Sequence, residues 1–274
     1  MIRAENVSYS YPGNAQTVAG LSFHIEKGEF AAILGENGAG KTTTVKLIDG
    51  LLKPTEGKMT VNGLDTAKSR VSERAAQVGF LFQNPDRQIC RNTVREEIAF
   101  GLRAVWGRRE EDKIRTRTDE LLERFGFTGD EDPFALSRGQ RQQVALASTL
   151  APSPAVLILD EPTTGLDYRE CTRIMDFIRQ LNEEEGTTVV MVCHDMEVVL
   201  DYARRALVMA GGRLLADGPV REIFRDEALM KKASLLPPQI IRIAGELGEG
   251  FREADDAETL SSLVAAKAER RRGA

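Results

Sequence analysis

The feature that most constrains this chain is a glycine-rich segment between a strand pattern and a helix pattern. Residues 30–34 are continuously apolar, which is typical of a strand covered by helices on both faces. Residues 35–42 read Gly-Glu-Asn-Gly-Ala-Gly-Lys-Thr and satisfy the pattern G-x-x-x-x-G-K-[ST]. Backbone N–H groups of such a loop surround phosphate oxygens, Lys41 supplies a charge for the β and γ phosphates, and Thr42 supplies a hydroxyl for Mg²⁺. The segment predicts a phosphate-binding loop in an α/β fold, and a glycine-rich helix start without a ligand is the competing interpretation.

A second buried strand pattern ends in two acids. Residues 156–159 are apolar and are followed by Asp160 and Glu161. Ligands of open α/β sheets bind at the carboxyl ends of the strands, where the phosphate loop also lies. We predict that Asp160 is a ligand of Mg²⁺ and that Glu161 is the general base that polarises a water for attack on the γ phosphate. The competing interpretation is two solvated acids that end a strand.

Two kinds of strand pattern divide the remaining sequence. Apolar and polar residues alternate over 21–26, which indicates an antiparallel strand with one face in water. The run at 189–192 is continuously apolar, like 156–159, and indicates a parallel core sheet. The middle of the chain, about 84–154, has helical patterns without a convincing strand and is predicted to be a helical insertion. Helical patterns cover 41–51, 93–103, 111–125, 140–150 and 169–182.

The pattern changes again beyond residue 218. Two adjacent prolines precede two short helical segments, at 240–247 and 259–270. Leu260, Leu263 and Val264 share one face of the last segment and need an apolar partner surface. Packing on the same chain is the preferred interpretation over contact with a second copy.

Composition excludes several classes of protein. The chain has 274 residues, 42% of them hydrophobic, and a net charge of -5. This charge argues against a general nucleic-acid binder, which neutralises phosphates with clustered Lys and Arg, although a local basic contact remains possible. No apolar run approaches the roughly 18 residues that span a bilayer. The first residues lack a signal-peptide pattern, and three dispersed cysteines suit a reducing compartment, so a cytoplasmic location is expected.

A further motif lies between the phosphate loop and the two acids. Residues 136–143 read Leu-Ser-Arg-Gly-Gln-Arg-Gln-Gln, and Ser137 stands 23 residues ahead of Asp160. This segment resembles the signature motif of ATP-binding cassette (ABC) ATPases. The resemblance extends, in the family's order, over almost all of residues 1–220. Four other family motifs are matched: the aromatic residue that stacks on adenine by Tyr11, the glutamine loop by Gln83, the D-loop by Gly165-Leu166-Asp167 and the switch histidine by His194.

The resemblance implies an α/β fold of the P-loop NTPase class. It comprises an ABC ATPase core with an antiparallel β subdomain, a helical insertion subdomain and a small C-terminal helical extension. Residues 1–225 would form the ABC ATPase domain, with the helical subdomain at about 84–154, and residues 226–274 would form the extension. The implied activity is ATP hydrolysis, with ATP and Mg²⁺ as the bound groups.

The residues that match family motifs receive the family's roles through this resemblance. Taken singly, Tyr11, Gln83 and His194 are more typical of structural residues, so their assignment depends on the motif order. The implied catalytic residues are Glu161, His194, Gln83 and Lys41, and the implied Mg²⁺ ligands are Thr42, Gln83 and Asp160. The implied nucleotide-binding residues are Tyr11, Gly35, Glu36, Asn37, Gly38, Ala39, Gly40, Lys41, Thr42, Thr43, Ser137, Gly139, Gln140 and Asp167.

The signature motif also implies a partner. In this family it does not reach the phosphate loop of its own chain, so a second ABC ATPase, identical or paralogous, would face this one head to tail with ATP between them. Ser137 and the N–H groups at Gly139 would then meet the partner's γ phosphate. Arg138 departs from the family, which usually has glycine there. We expect its side chain to point away from the nucleotide, and the alternative is that it contacts phosphate or weakens this half-site.

A finer resemblance begins after Gln83. Segments 84–101 and 236–247 resemble the ATPase components of energy-coupling-factor (ECF) transporters, bacterial and archaeal importers of vitamins and transition-metal ions. The resemblance implies a transmembrane coupling component and a substrate-binding membrane component as partners, at the cytoplasmic face of the cell membrane. Asp86 is predicted to meet arginines of the coupling helices, and a solvated turn acid is the alternative. An ATPase of a conventional ABC importer or exporter and a soluble ABC assembly factor remain alternative functions.

Overall fold

The chain folds around two sheets in the computed structural model, which describes residues 1–13 and 16–272. The smaller sheet is antiparallel, with strand order β2-β1-β4-β5. In β2, Leu21, Phe23 and Ile25 are buried while the residues between them are exposed, so the predicted alternation is confirmed. The four strands are β1 (Ile2–Ser10), β2 (Gln16–Ile25), β4 (Glu56–Val61) and β5 (Leu64–Asp65).

The larger sheet is parallel except at one edge and has the order β10-β9-β3-β8-β7-β6. Every residue of β3, β7 and β8 is buried, which confirms the strands predicted from continuous apolar runs. Because parallel strands end at one edge, the loops after β3, β6, β7 and β8 meet there. The strands are β3 (Phe30–Leu34), β6 (Val78–Leu81), β7 (Val156–Asp160), β8 (Thr188–Val192), β9 (Arg205–Ala210) and β10 (Arg213–Pro219).

Helices surround the larger sheet and form the predicted insertion. The described residues between 84 and 154 contain helices and short 3₁₀ turns without any strand, as predicted. The helix predicted over 111–125 has those bounds, whereas α5 begins two residues earlier than predicted, directly after its cap Ser137. The helices are α1 (Lys41–Asp49), α2 (Val71–Ala75), α3 (Val94–Trp106), α4 (Glu111–Phe125), α5 (Arg138–Leu150), α6 (Tyr168–Glu185) and α7 (Met196–Tyr202).

Four helices follow the larger sheet. Leu260 is buried against Ala244, Phe251 and Ala254 of the same chain, and Leu263 packs beside them, so same-chain packing is confirmed for these two residues. Val264, in contrast, remains 44% exposed. The division of the chain at residue 226 stays a prediction, and its last two residues, 273 and 274, lie outside the described part. The helices are α8 (Val220–Arg225), α9 (Glu227–Lys232), α10 (Gln239–Glu246) and α11 (Ala257–Arg272).

Among residues 1–13 and 16–272, no helix is both long enough and apolar enough to cross a bilayer.

Candidate functional site

The phosphate loop connects β3 to α1 and has the backbone that its glycines permit. Gly38 and Gly40 adopt φ values of 82° and 98°, in the left-handed region that side chains with a Cβ disfavour. A Cβ on Gly40 would also lie 2.9 Å from the carbonyl oxygen of Thr17. Gly40 caps α1 without a side-chain hydrogen bond, so the N–H groups of the first helical turn lack partners within the helix. This arrangement can bind phosphate oxygens.

Lys41 lies inside the loop. Its Nζ donates to the carbonyl oxygens of Gly35, at 2.8 Å, and Glu36, at 2.9 Å. The residue is 6% exposed, and burial lowers the pKa of its ammonium. Two carbonyl contacts leave one N–H of the ammonium available for an anion. The cation is therefore already placed for a phosphate in the loop.

Two of the three predicted Mg²⁺ ligands meet at the sheet edge. Thr42 Oγ1 donates to Asp160 Oδ1 at 3.3 Å. Asp160 is 7% exposed, and burial, followed by the charge of Glu161, raises the pKa of its carboxyl. A hydroxyl and a carboxylate are hard oxygen donors that suit Mg²⁺, whose remaining ligands would be phosphate oxygens and water. The donor set therefore fits the ion.

Two of the predicted catalytic residues, Gln83 and His194, contact a third, Glu161. Gln83 Nε2 donates to its Oε2 at 2.6 Å, and His194 Nε2 lies 3.1 Å from its Oε1. Gln83 thus contacts the predicted base, whereas Thr42 and Asp160 contact each other. Thr164, which the sequence analysis did not select, adds a hydroxyl contact to Oε2 at 3.1 Å. The loops after β6, β7 and β8 bring these groups together.

The backbone at Glu161 is unusual for a residue with a side chain. Its φ is 52°, in the left-handed region, and its N–H donates to the carbonyl oxygen of Val192 at 2.8 Å. Such conformations persist where surrounding contacts fix them, and they cluster at functional sites. The left-handed turn and three side-chain contacts position the carboxylate at the edge of the sheet.

Tyr11 lies beside the phosphate loop. Its hydroxyl is 3.4 Å from Thr43 Oγ1, and its ring meets that of Tyr9 edge to face with centroids 5.0 Å apart. Stacking of this ring on adenine stays a prediction.

The signature residues open α5 and bond mainly with one another. Ser137 Oγ accepts from the N–H of Gln140 at 3.2 Å, and Gln140 Oε1 accepts from the N–H of Ser137 at 3.0 Å. This is a reciprocal capping box. Asp167 caps α6 in the same manner, with Oδ1 accepting from the N–H of Glu170 at 2.8 Å. In the described residues no hydrogen bond joins this motif to the phosphate loop, although Arg138 lines the same cleft as Thr42 and Asp160.

Arg138 turns toward its own chain. Its Nη2 donates to the carbonyl oxygen of Thr164 at 2.9 Å, and its guanidinium lies against Gly165. Its orientation relative to a partner's nucleotide stays a prediction. Asp86, predicted to meet arginines of a partner's coupling helices, has an ion pair inside this chain, with Oδ1 2.8 Å from Nε of Arg141. Its contact with a partner stays a prediction.

Two further polar residues, which belong to none of the sequence motifs, hold the loop after Gln83. Glu97 is 2% exposed, and its Oε2 accepts from the N–H groups of Cys90 and Arg91, each at 2.9 Å. Gln88 accepts from the N–H of Phe82 at 3.0 Å and donates to Thr149 Oγ1 at 2.7 Å. A carboxylate on the apolar face of α3 was the available indication for Glu97.

Comparisons with known proteins agree with this geometry. A family model described as "ABC transporter" matches residues 18–164. A protein of Caldanaerobacter subterraneus named as an ABC transporter ATP-binding protein is 45% identical, over 93% of this chain and 45% of its own length. The chain thus spans about half the length of the first curated relatives that it matches. The energy-coupling factor transporter ATP-binding protein EcfA of Methanothermobacter thermautotrophicus is 38% identical, over 93% of this chain and 82% of its own length.

Solved structures give the same result. CbiO1 of Clostridium perfringens, described as part of the ABC transporter complex CbiONQ, matches with a TM-score of 0.74 and 34% identity, covering 90% of this chain and 97% of that one. An ATP-binding cassette captured as a dimer with ADP and Pi matches with a TM-score of 0.71 and 30% identity, covering 80% of this chain and 99% of that one.

Proposed function

Because the chain belongs to the ABC transporter ATPase family, we propose that it is the ATP-hydrolysing subunit of an ECF-type importer. In this proposal, ATP-driven closure and opening of a cassette dimer drives uptake of a vitamin or metal ion through membrane partners. The observation that carries the hydrolytic part is the convergence of Gln83, Thr164 and His194 on Glu161 beside the phosphate loop. The importer type is supported by the likeness to EcfA and CbiO1.

The proposed chemistry follows from this placement. The loop and the first turn of α1 hold the phosphates, and Lys41 neutralises charge on them. Glu161 orients the attacking water and accepts its proton, while His194 contacts a γ-phosphate oxygen and helps to fix the carboxylate. Thr42 and Asp160 would hold Mg²⁺, which when bound offsets the charge of the β and γ phosphates.

A second cassette completes the proposed site. Ser137 and the N-terminus of α5 would contact the γ phosphate held by the partner, and Asp167 would lie at the same interface. The similar cassette that was captured as a dimer with ADP and Pi supports this arrangement. Loss of the γ phosphate would remove the charge that joins the two chains, so hydrolysis would open the dimer.

The proposed contact with the membrane component lies on α3. Arg91, Glu96, Phe100 and Arg103 line an open cleft of about 430 Å³. Phe100 is 41% exposed, and the Arg91 guanidinium lies 4.0 Å from the centroid of its ring. An aromatic ring between charged side chains suits a helix end that carries both apolar and charged residues. The subunit would thus lie at the cytoplasmic face of the membrane.

Affinity purification from detergent-solubilised membranes tests the proposal. The wild-type chain should retain a membrane coupling subunit, and Phe100→Ser should reduce its recovery by about tenfold while nucleotide binding is unchanged. Leu51→Ser is a matched control, because Leu51 is also an exposed apolar residue, 54% exposed, outside the cleft. If the wild-type chain recovered only soluble proteins and no membrane subunit, this result would contradict the proposed importer function and favour an assembly factor. Full recovery with Phe100→Ser would exclude this cleft.

A further inference from the structure

The loop after β7 lies along the first turns of α5, and two side chains of that helix donate hydrogen bonds to the loop. Gln142 Nε2 donates to the carbonyl oxygen of Pro162 at 3.2 Å, and Arg138 Nη2 donates to that of Thr164 at 2.9 Å. Residues 138 and 142 are one helical turn apart and share a face of α5. Two side chains on one helix face therefore hold alternate carbonyl groups of the loop.

Two glycines lie close to charged side chains around Arg138. Gly165 has a φ of 77°, and a Cβ there would lie 2.8 Å from Cζ of Arg138. One residue further along α5, Gly139 packs so closely on the carboxylate of Glu170 that a Cβ would overlap it. Glu170 belongs to the capping box of α6. The start of α5, the loop and the start of α6 thus form one packed unit.

Thr164 connects this unit to the hydrolytic centre. Its carbonyl oxygen accepts from Arg138, and its hydroxyl donates to Oε2 of Glu161 at 3.1 Å. We propose that Arg138 is a positioning residue that fixes the Glu161 carboxylate of its own chain through Thr164. Arg138 follows Ser137, so Arg138 and Thr164 link the segment proposed to contact the partner's nucleotide to the carboxylate proposed to hydrolyse this chain's ATP. The functional part of this inference rests on the proposed roles of Glu161 and Ser137.

Hydrogen exchange tests the contact without nucleotide, partner or activity. In the full chain, Arg138→Met should speed exchange in peptides covering 163–168 by about tenfold, because a charge-assisted hydrogen bond to the loop is lost. Arg138→Lys should lie between the wild type and Arg138→Met. The matched control is Arg173→Met, an exposed arginine of α6, which should leave these peptides unchanged. Unchanged exchange of 163–168 in Arg138→Met would overturn the proposal.

Steady-state ATPase kinetics test the positioning role. Arg138→Met should lower kcat by about tenfold and change KM for ATP by less than about twofold, and Arg138→Lys should restore part of the rate. Thr164→Val keeps the carbonyl group but loses the hydroxyl, so it should lower kcat similarly. The two substitutions combined should cost little more than either alone, because they interrupt one path. If the losses in kcat of the two variants multiplied in the double variant, the link through Thr164 would be overturned. An inactive wild type would instead contradict the proposed function, and the exchange experiment would then decide whether the contact exists.

Discussion

Asp160 is a carboxylate that the fold keeps in unfavourable surroundings until a cation binds. Burial raises the pKa of its carboxyl above the ordinary 3.8, so the folded state retains the proton at a pH where the unfolded state has lost it. The free energy of unfolding therefore falls as the pH rises from 3.8 through the folded-state pKa, and the loss persists at neutral pH. Asp160→Asn should remove this loss and stabilise the ligand-free protein at pH 7.5 by on the order of 1 kcal/mol.

Urea unfolding with and without MgATP measures the stability of the ligand-free protein and the stabilisation that the ligand adds. Asp160→Asn should show the higher midpoint without ligand at pH 7.5, a smaller difference at pH 4, and less stabilisation than the wild type when MgATP is added. Asp112→Asn serves as the control, because its carboxylate is 93% exposed. A lower ligand-free midpoint for Asp160→Asn would show that its contact with Thr42 outweighs the burial cost.

Single residues differ in how far the sequence predicts their surroundings. Asp160 and Glu161 could be placed beside the phosphate loop because parallel strands end at one edge, and a strand pattern shows where that edge is. The contact of Thr164 with Glu161, and that of Arg138 with Thr164, depend on how α5 packs on the loop after β7. No local pattern encodes that packing, so both contacts required the structure.

At the scale of elements, a buried carboxylate is one of the two polar groups that hold the loop between β6 and α3. Glu97 accepts from the N–H groups of Cys90 and Arg91. Glu97→Ala should leave two amides without this acceptor and lower the free energy of unfolding by about 2–4 kcal/mol. Glu97→Gln keeps an acceptor and should cost about half as much. Guanidinium unfolding measures both values.

The adjacent Glu96 provides the control for this prediction. It is exposed on the same turn of α3, so Glu96→Ala should change stability by less than about 0.5 kcal/mol. If Glu97→Ala were equally mild, water would have replaced the carboxylate, and Glu97 would not be what holds the loop.

Element boundaries follow caps more closely than apolar periodicity. The helix predicted to extend to residue 51 ends at Asp49, because Gly50 adopts a φ of 78° and its N–H returns to the carbonyl oxygen of Leu47. The helix predicted from residue 140 begins at Arg138, because its cap Ser137 precedes the apolar face. Periodicity reports where a helix is buried, and the capping residues determine where it begins and ends.

At the scale of the whole molecule, the C-terminal helices contact the edge of the larger sheet where Glu161 and His194 lie. The N–H of Gln239, at the start of α10, donates to Oε1 of Glu197 at 2.7 Å. Glu197 lies three residues after His194. Pro237 and Arg242 line a cleft of about 580 Å³ together with Glu161 and His194. The sequence placed these helices in a separate extension, since prolines precede them, but their contact with the loop after β8 is a product of tertiary packing.

The largest consequence of the proposed site is that two chains share each nucleotide. Glu161→Gln should retain ATP, slow hydrolysis by about a hundredfold or more, and accumulate a closed dimer. Light scattering with MgATP should then give twice the monomer mass of 30.2 kDa. Adding Ser137→Glu should return the mass to that of the monomer, because a carboxylate would face the partner's γ phosphate, whereas Ser72→Glu on the exposed side of α2 should have no effect. A Glu161→Gln chain that remains monomeric with MgATP, alone and with any paralogue supplied, would contradict the shared site, and a dimer that survives Ser137→Glu would remove the signature turn from it.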